Sequence, residues 1–148
     1  MRREELEEII REEGDKKEGV YRGYNYLILR MGPVEKRFHL NGYVEIPEDH
    51  ILYNVEYNDE EYDIRVHGGL TFSGKIGCNT SSFYYGFDTA HFNDISHWGE
   101  LTGLNSIYRN MAYVQHECEE LIDQLIDIDV AKKHNAHIQR QLHRRWWK

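Results

Sequence analysis

The chain has 148 residues, 40% of them hydrophobic and 13% aromatic, with a net charge of −8. That is enough apolar material for one folded domain (residues 1–148) and too little length for two, and it excludes a disordered polymer. Residues 132–148 carry six Lys or Arg and no acid, leaving 12 basic against 26 acidic residues, a net of −14, in residues 1–131. An acidic body repels phosphates and argues against direct nucleic-acid binding, while leaving room for mimicry of nucleic acid by the protein itself.

In chain order, "MRREELEEIIREEG" places Leu6, Ile9 and Ile10 on one stripe and ends on Gly14, which predicts a short amphipathic helix over 1–14. It lacks the apolar centre of a signal peptide, and no run reaches the roughly 18 apolar residues of a membrane span, so a cytoplasmic protein without membrane contact is expected. Cys78 and Cys118 have no CxxC spacing and are expected to be free thiols.

From "GVYRGYNYLILRM" through "EKRFHLNGYVEI" the residues are aromatic and β-branched, which predicts two strands joined by a turn at Gly32-Pro33. "PEDHILYNVEYNDEEY" reads as an acidic surface segment. In "YDIRVHGGLTF" Tyr62, Ile64 and Val66 alternate with Asp63, Arg65 and His67, the pattern of a half-buried strand, and "SSFYYGFD" repeats it with Phe83, Tyr85 and Phe87 against Tyr84. From about Ser106 the period turns helical, predicting a long packed helix over 106–128 and a second, basic helix over 130–148 that docks on the domain or on another subunit through Trp146 and Trp147. The expected fold is therefore α+β: a mainly antiparallel sheet of about four to six strands in residues 20–90, packed against C-terminal helices.

Chemistry concentrates at two places. After His67, Gly68 and Gly69 allow close backbone approach and can turn N–H groups outward, with the Thr71 and Ser73 hydroxyls nearby. In "YYGFDTAHFNDISHWG", Asp88, His91, Asp94 and His97 recur every three residues. Such a cluster suits a paired acid and base, with His67, Asp88 and His91 as the catalytic set, or a divalent ion such as zinc held by His67, His91 and Asp94. Tyr84, Phe92 and Trp98 are candidates to stack on a flat ligand, and Arg65, Lys75 and Arg109 to meet its phosphates. In the bland alternative the glycines form a tight bend and the aspartates cap turns.

The pairing of "VHGGLTFSG" with "GFDTAH" and a following Asp, then "YVQHECEELIDQL", resembles a family of small, mostly uncharacterised phage and prophage proteins. The resemblance covers about residues 42–125 and rests on His67, Gly68, Gly69, Leu70, Thr71, Gly86, Phe87, Asp88, Ala90, His91 and Asp94. It implies a phage or mobile-element setting and carries no established activity.

Three functions fit. The first is a binder of a nucleotide-like ligand, needing no cofactor, that sequesters a host immune signal; its expected site is Arg65, His67, Gly68, Gly69, Thr71, Ser73, Tyr84, Asp88, His91, Asp94 and Arg109. The second is a hydrolase using the same histidines, with or without metal. The third is an acidic inhibitor presenting Asp59, Glu60, Glu61 and Asp63 to a host defence protein. Open glycines and aromatics beside few polar groups favour the first. A homo-oligomer is expected from the tail.

Overall fold

The computed structural model describes residues 1–78, 81–96 and 106–146. Helix α1 (Arg3–Glu13) is followed by strands β1 (Lys16–Tyr21), β2 (Tyr24–Met31), β3 (His39–Ile46), β4 (Phe72–Gly74) and β5 (Phe83–Asp88), then helix α2 (Met111–Trp146). The strands form one antiparallel sheet in the order β1-β2-β3-β5-β4, so the α+β expectation holds. No described helix is long and apolar enough to cross a membrane.

The first sheet region contains three strands where two were expected. Arg22 and Gly23 both have positive φ, 48° and 83°, the geometry of a tight two-residue hairpin turn, and they fold "GVYRGYNYLILRM" back on itself. Register places Tyr26, Ile28, Leu40, Val44, Ile46, Phe83, Tyr85 and Phe87 on one face. There they meet Met111, Val114, Cys118, Leu121, Ile122 and Leu125 of α2 in the main core. Gly42 lets helix and sheet approach: a Cβ there would lie 2.5 Å from Phe87 and 2.8 Å from Cys118. A smaller core of Leu6, Phe38 and Ile95 seats α1.

Three further expectations are corrected. Tyr62–His67 is no strand. Its inward residues Tyr62, Ile64 and Val66 do pack on the core, but Arg65 N–H donates to Gln124 Oε1 (2.7 Å) and Gln124 Nε2 to the Arg65 carbonyl (2.7 Å). One carboxamide thus satisfies the backbone pair that a neighbouring strand would have taken. The segment after Pro47 is not all surface, since His50 and Leu52 are buried and His50 Nε2 lies 2.7 Å from the Leu125 carbonyl. Finally, the helices expected over 106–128 and 130–148 are one continuous helix: no Gly or Pro interrupts Met111–Trp146, and residues 130–146 are exposed along its projecting end rather than docked on the domain. His97, Trp98 and Trp147 lie outside the described residues.

Candidate functional site

The site forms where β3 begins and β5 ends, beside the first turn of α2. The His67 and Gly68 turn, with φ of +68° at Gly68 and +83° at Gly69, closes when Gly69 N–H donates to the Val66 carbonyl (2.8 Å). That turn swings the imidazole of His67 off the exposed side shared by Asp63 and Arg65 and into a cluster where its side chain is 13% exposed.

Asp94 is the centre of this cluster, with its side chain 1% exposed. Its Oδ2 lies 2.7 Å from His67 Nε2 and accepts the His91 backbone N–H (3.1 Å), while Oδ1 accepts Arg109 Nε (2.9 Å). Burial works to raise the Asp94 pKa, but the hydrogen bonds from His67, Arg109 and His91 outweigh it and hold the carboxyl below its ordinary value. An ionised carboxylate only accepts, so His67 Nε2 carries the proton. In the neutral imidazole Nδ1 then accepts from the Tyr113 hydroxyl, 2.7 Å away. Burial raises the Tyr113 pKa, with Glu117 adding to it, so the phenol stays protonated as that donor. The Arg109 guanidinium stacks over the Tyr113 ring at 5.1 Å.

In front of this cluster lies a second pair. His91 Nε2 is 3.0 Å from Asp88 Oδ1, and the His67 and His91 rings are 5.9 Å apart. Thr71 Oγ1 donates to Asp88 Oδ2 (3.0 Å) and Ala90 N–H to Asp88 Oδ1 (3.0 Å), the latter an Asx-type turn. The His91 ring lies flat against Gly68, where a Cβ would come within 2.1 Å of Nε2.

Asp88 and His91 line a cavity of about 380 Å³ together with Met31, Gly32, His39, Asn41 and Ala90. Asn41 and Asp88 face each other across the β3–β5 ladder. Two buried polar atoms of the lining, Asn41 Oδ1 and His91 Nε2, have no hydrogen-bond partner among the described residues. For His91 the nearby Asp88 oxygen is within ion-pair range but is not aligned as an acceptor. Two larger hollows, of about 470 and 500 Å³, border neither histidine.

Of the expected site residues, the structure brings together His67, Gly68, Thr71, Asp88, His91, Asp94 and Arg109. Gly69 belongs to the turn, but its N–H, like that of Thr71, is spent on a backbone carbonyl, so the expected row of outward amides is not formed there. Arg65 pairs with Asp63 on the surface, Ser73 with Glu56, and Tyr84 lies at the other end of β5 beside Glu45. Of the expected zinc ligands, both His67 ring nitrogens and both Asp94 oxygens lie within hydrogen-bond distance of protein partners. No group of three or more His, Cys, Asp or Glu among the described residues is arranged to hold a metal. His67 has both ring nitrogens within hydrogen-bond distance of protein groups, Tyr113 Oη and Asp94 Oδ2. Sequence reasoning missed Tyr113, His39 and Asn41. The alternation His39, Asn41, Tyr43 along β3 is the signal for the last two. The chain matches no protein-family model, no curated protein and no solved structure.

Proposed function

We propose that the chain is a binding protein for a nucleotide-like small molecule whose base enters the cavity at the ends of β3 and β5. The observation that carries this reading is the hollow lined by Asn41, Asp88 and His91, two of which keep a buried polar atom, Asn41 Oδ1 and His91 Nε2, without a hydrogen-bond partner among the described residues. A buried polar atom left unsatisfied costs about 1–3 kcal/mol, and a ligand that pairs it recovers that cost. Asn41 Oδ1 and Asp88 accept, so the ligand must present N–H groups, as a nucleobase edge does. Among the described residues no Lys or Arg lines the cavity and Asp88 does, so phosphates stay outside it. The volume suits a nucleobase with part of its sugar. The resemblance to phage proteins gives such binding a use, the sequestration of a host signalling nucleotide.

Calorimetry with the common nucleosides and with linear and cyclic nucleotides tests this. At least one is expected to bind, and Asn41→Ala and Asp88→Asn to weaken it about tenfold or more with melting temperature held. Failure of the whole panel to bind, or binding indifferent to both changes, removes the proposal. One observation favours a hydrolase as second reading: Asp88 Oδ1 lies 3.0 Å from His91 Nε2, close enough to orient the imidazole as a base after a small realignment. Chromatography of the same ligands after incubation separates the two readings, since a binder returns each unchanged.

A further inference from the structure

Two surfaces of this protein carry no packed helix or strand among the described residues, and they are complementary. The first is the end of α2. Over 36 residues the helix is about 54 Å long. Its buried positions stop at Leu125, and residues 130–146 are exposed all round. Val130, Ile138, Leu142 and Trp146 recur there at multiples of four, so they form one apolar stripe, with Trp146 80% exposed. The charges around that stripe are Lys132, Lys133, Arg140, Arg144 and Arg145, with no acid.

The second surface is the sheet face turned away from α2. No other described helix packs extensively on the sheet, and α2 contacts β2 and β3 from the core side. The opposite face presents Leu27 and Leu29 of β2, Val20 of β1 and Tyr84 of β5, with Val20 68% exposed. A trough of about 470 Å³ runs between Glu18, Val20, Asn25, Leu27, Glu45 and Tyr84, with apolar and polar groups in similar measure and two acids at its margins, Glu18 paired with Lys16 at 3.1 Å. An antiparallel sheet can leave one face to water, but a contiguous apolar patch on that face marks an interaction surface.

We infer that the projecting basic end of α2 docks on the outer sheet face of a second copy of this chain, the Trp146 end of the stripe entering the trough while Arg144 and Arg145 meet Glu18 and Glu45. A helix cannot reach its own outer face, because α2 runs unbroken from the opposite side of the sheet. The dimensions agree: residues 130–146 span about 26 Å, and five strands with eight-residue centres present about 19 by 27 Å. Exchange of two identical contacts closes a two-fold dimer and leaves neither surface bare. The overall charge agrees as well, with a tail of six basic residues meeting a body of net −14.

The full-length chain, analysed by sedimentation equilibrium at 10–100 µM, is expected to have twice its 17.7 kDa mass. Leu142→Glu, at an exposed position that cannot unfold the domain, and Leu27→Glu, checked by thermal melting, are each expected to weaken the dimer about tenfold or more. In a Cys78→Ser background, mixing Leu27→Cys chains with Leu142→Cys chains is expected to give a disulfide-linked heterodimer on mild oxidation. A monomer throughout the range, a dimer indifferent to both Glu variants, self-linking of Leu142→Cys chains alone, or a monomer whose tail instead retains DNA or RNA would each overturn the assignment.

Discussion

Replacing Asp94 by alanine probes the cluster most directly. The side chain is 1% exposed and accepts three hydrogen bonds, from His67 Nε2, Arg109 Nε and the His91 backbone N–H. Hydrogen bonds to a charged group are each worth roughly 1.5–3 kcal/mol but do not add, and removing one member of a buried ion pair costs about 3–5 kcal/mol because its partner is left uncompensated. We take about 3–5 kcal/mol for Asp94→Ala. In a chain of this size that lowers the melting temperature by roughly 10 °C. Asp94→Asn keeps the shape and one acceptor, and is expected to lose about half as much. Because the folded-state pKa of Asp94 lies below its ordinary 3.8, its contribution is complete above that value and is lost as pH falls through the folded pKa. The gap between wild type and variant, followed by circular dichroism melts from pH 7 to pH 3, should therefore be constant near neutrality and shrink below about pH 4. An Asp94→Ala protein melting within 2 °C of wild type at pH 7, or a gap that does not narrow in acid, refutes a buried, ionised hub.

Other substitutions separate backbone from packing effects. Gly68→Ala meets both a positive φ and the His91 ring and is expected to cost about 2–4 kcal/mol in chemical denaturation, whereas Gly69→Ala, with the same sign of φ and open space around it, is expected to cost about 1 kcal/mol. Cys78 is exposed, while Cys118 is fully buried with its thiol pushed far up by burial, so Ellman's reagent should titrate one thiol in the native protein and two after denaturation. Leu125→Ala, at the last buried turn of α2, should destabilise by about 2–5 kcal/mol in urea while Leu142→Ala, on the projecting end, leaves the unfolding of the domain unchanged at concentrations where it is monomeric.

What the sequence made legible follows from which forces are local. The strand Phe83–Asp88 and the packed face of α2 are written in periodicity, because burial selects apolar residues at fixed spacing. The Arg22-Gly23 turn was hidden because arginine is an unusual residue at positive φ. Tyr62–Val66 has the alternation of a strand and its inward residues are indeed inward, but the partner that satisfies its backbone is a glutamine 59 residues downstream, which no local pattern announces. The division of α2 into two helices followed a change in charge, and charge does not break a helix. At the candidate site, the three-residue spacing of Asp88, His91 and Asp94 is visible in sequence, yet the partition of those groups depends on register. Asn41 reaches the cavity only because β3 pairs with β5 so that it opposes Asp88, and Tyr113 meets His67 across 46 residues.

That partition bears on how the site works. Behind, Asp94, His67, Tyr113 and Arg109 interlock through hydrogen bonds of 2.7 to 2.9 Å, drawn from the turn after Val66, the loop after β5 and the start of α2. Such a cluster resists displacement, because moving any one member strands another in a poorly solvated place. In front, Asn41 and His91 line the hollow, and each holds one buried polar atom without a hydrogen-bond partner among the described residues. The two layers meet at His91, whose backbone N–H is held by Asp94 while its ring is pressed on Gly68, so the imidazole that faces the cavity is fixed from two sides. Under the binding proposal, a side chain already held in place loses less conformational entropy when a ligand arrives.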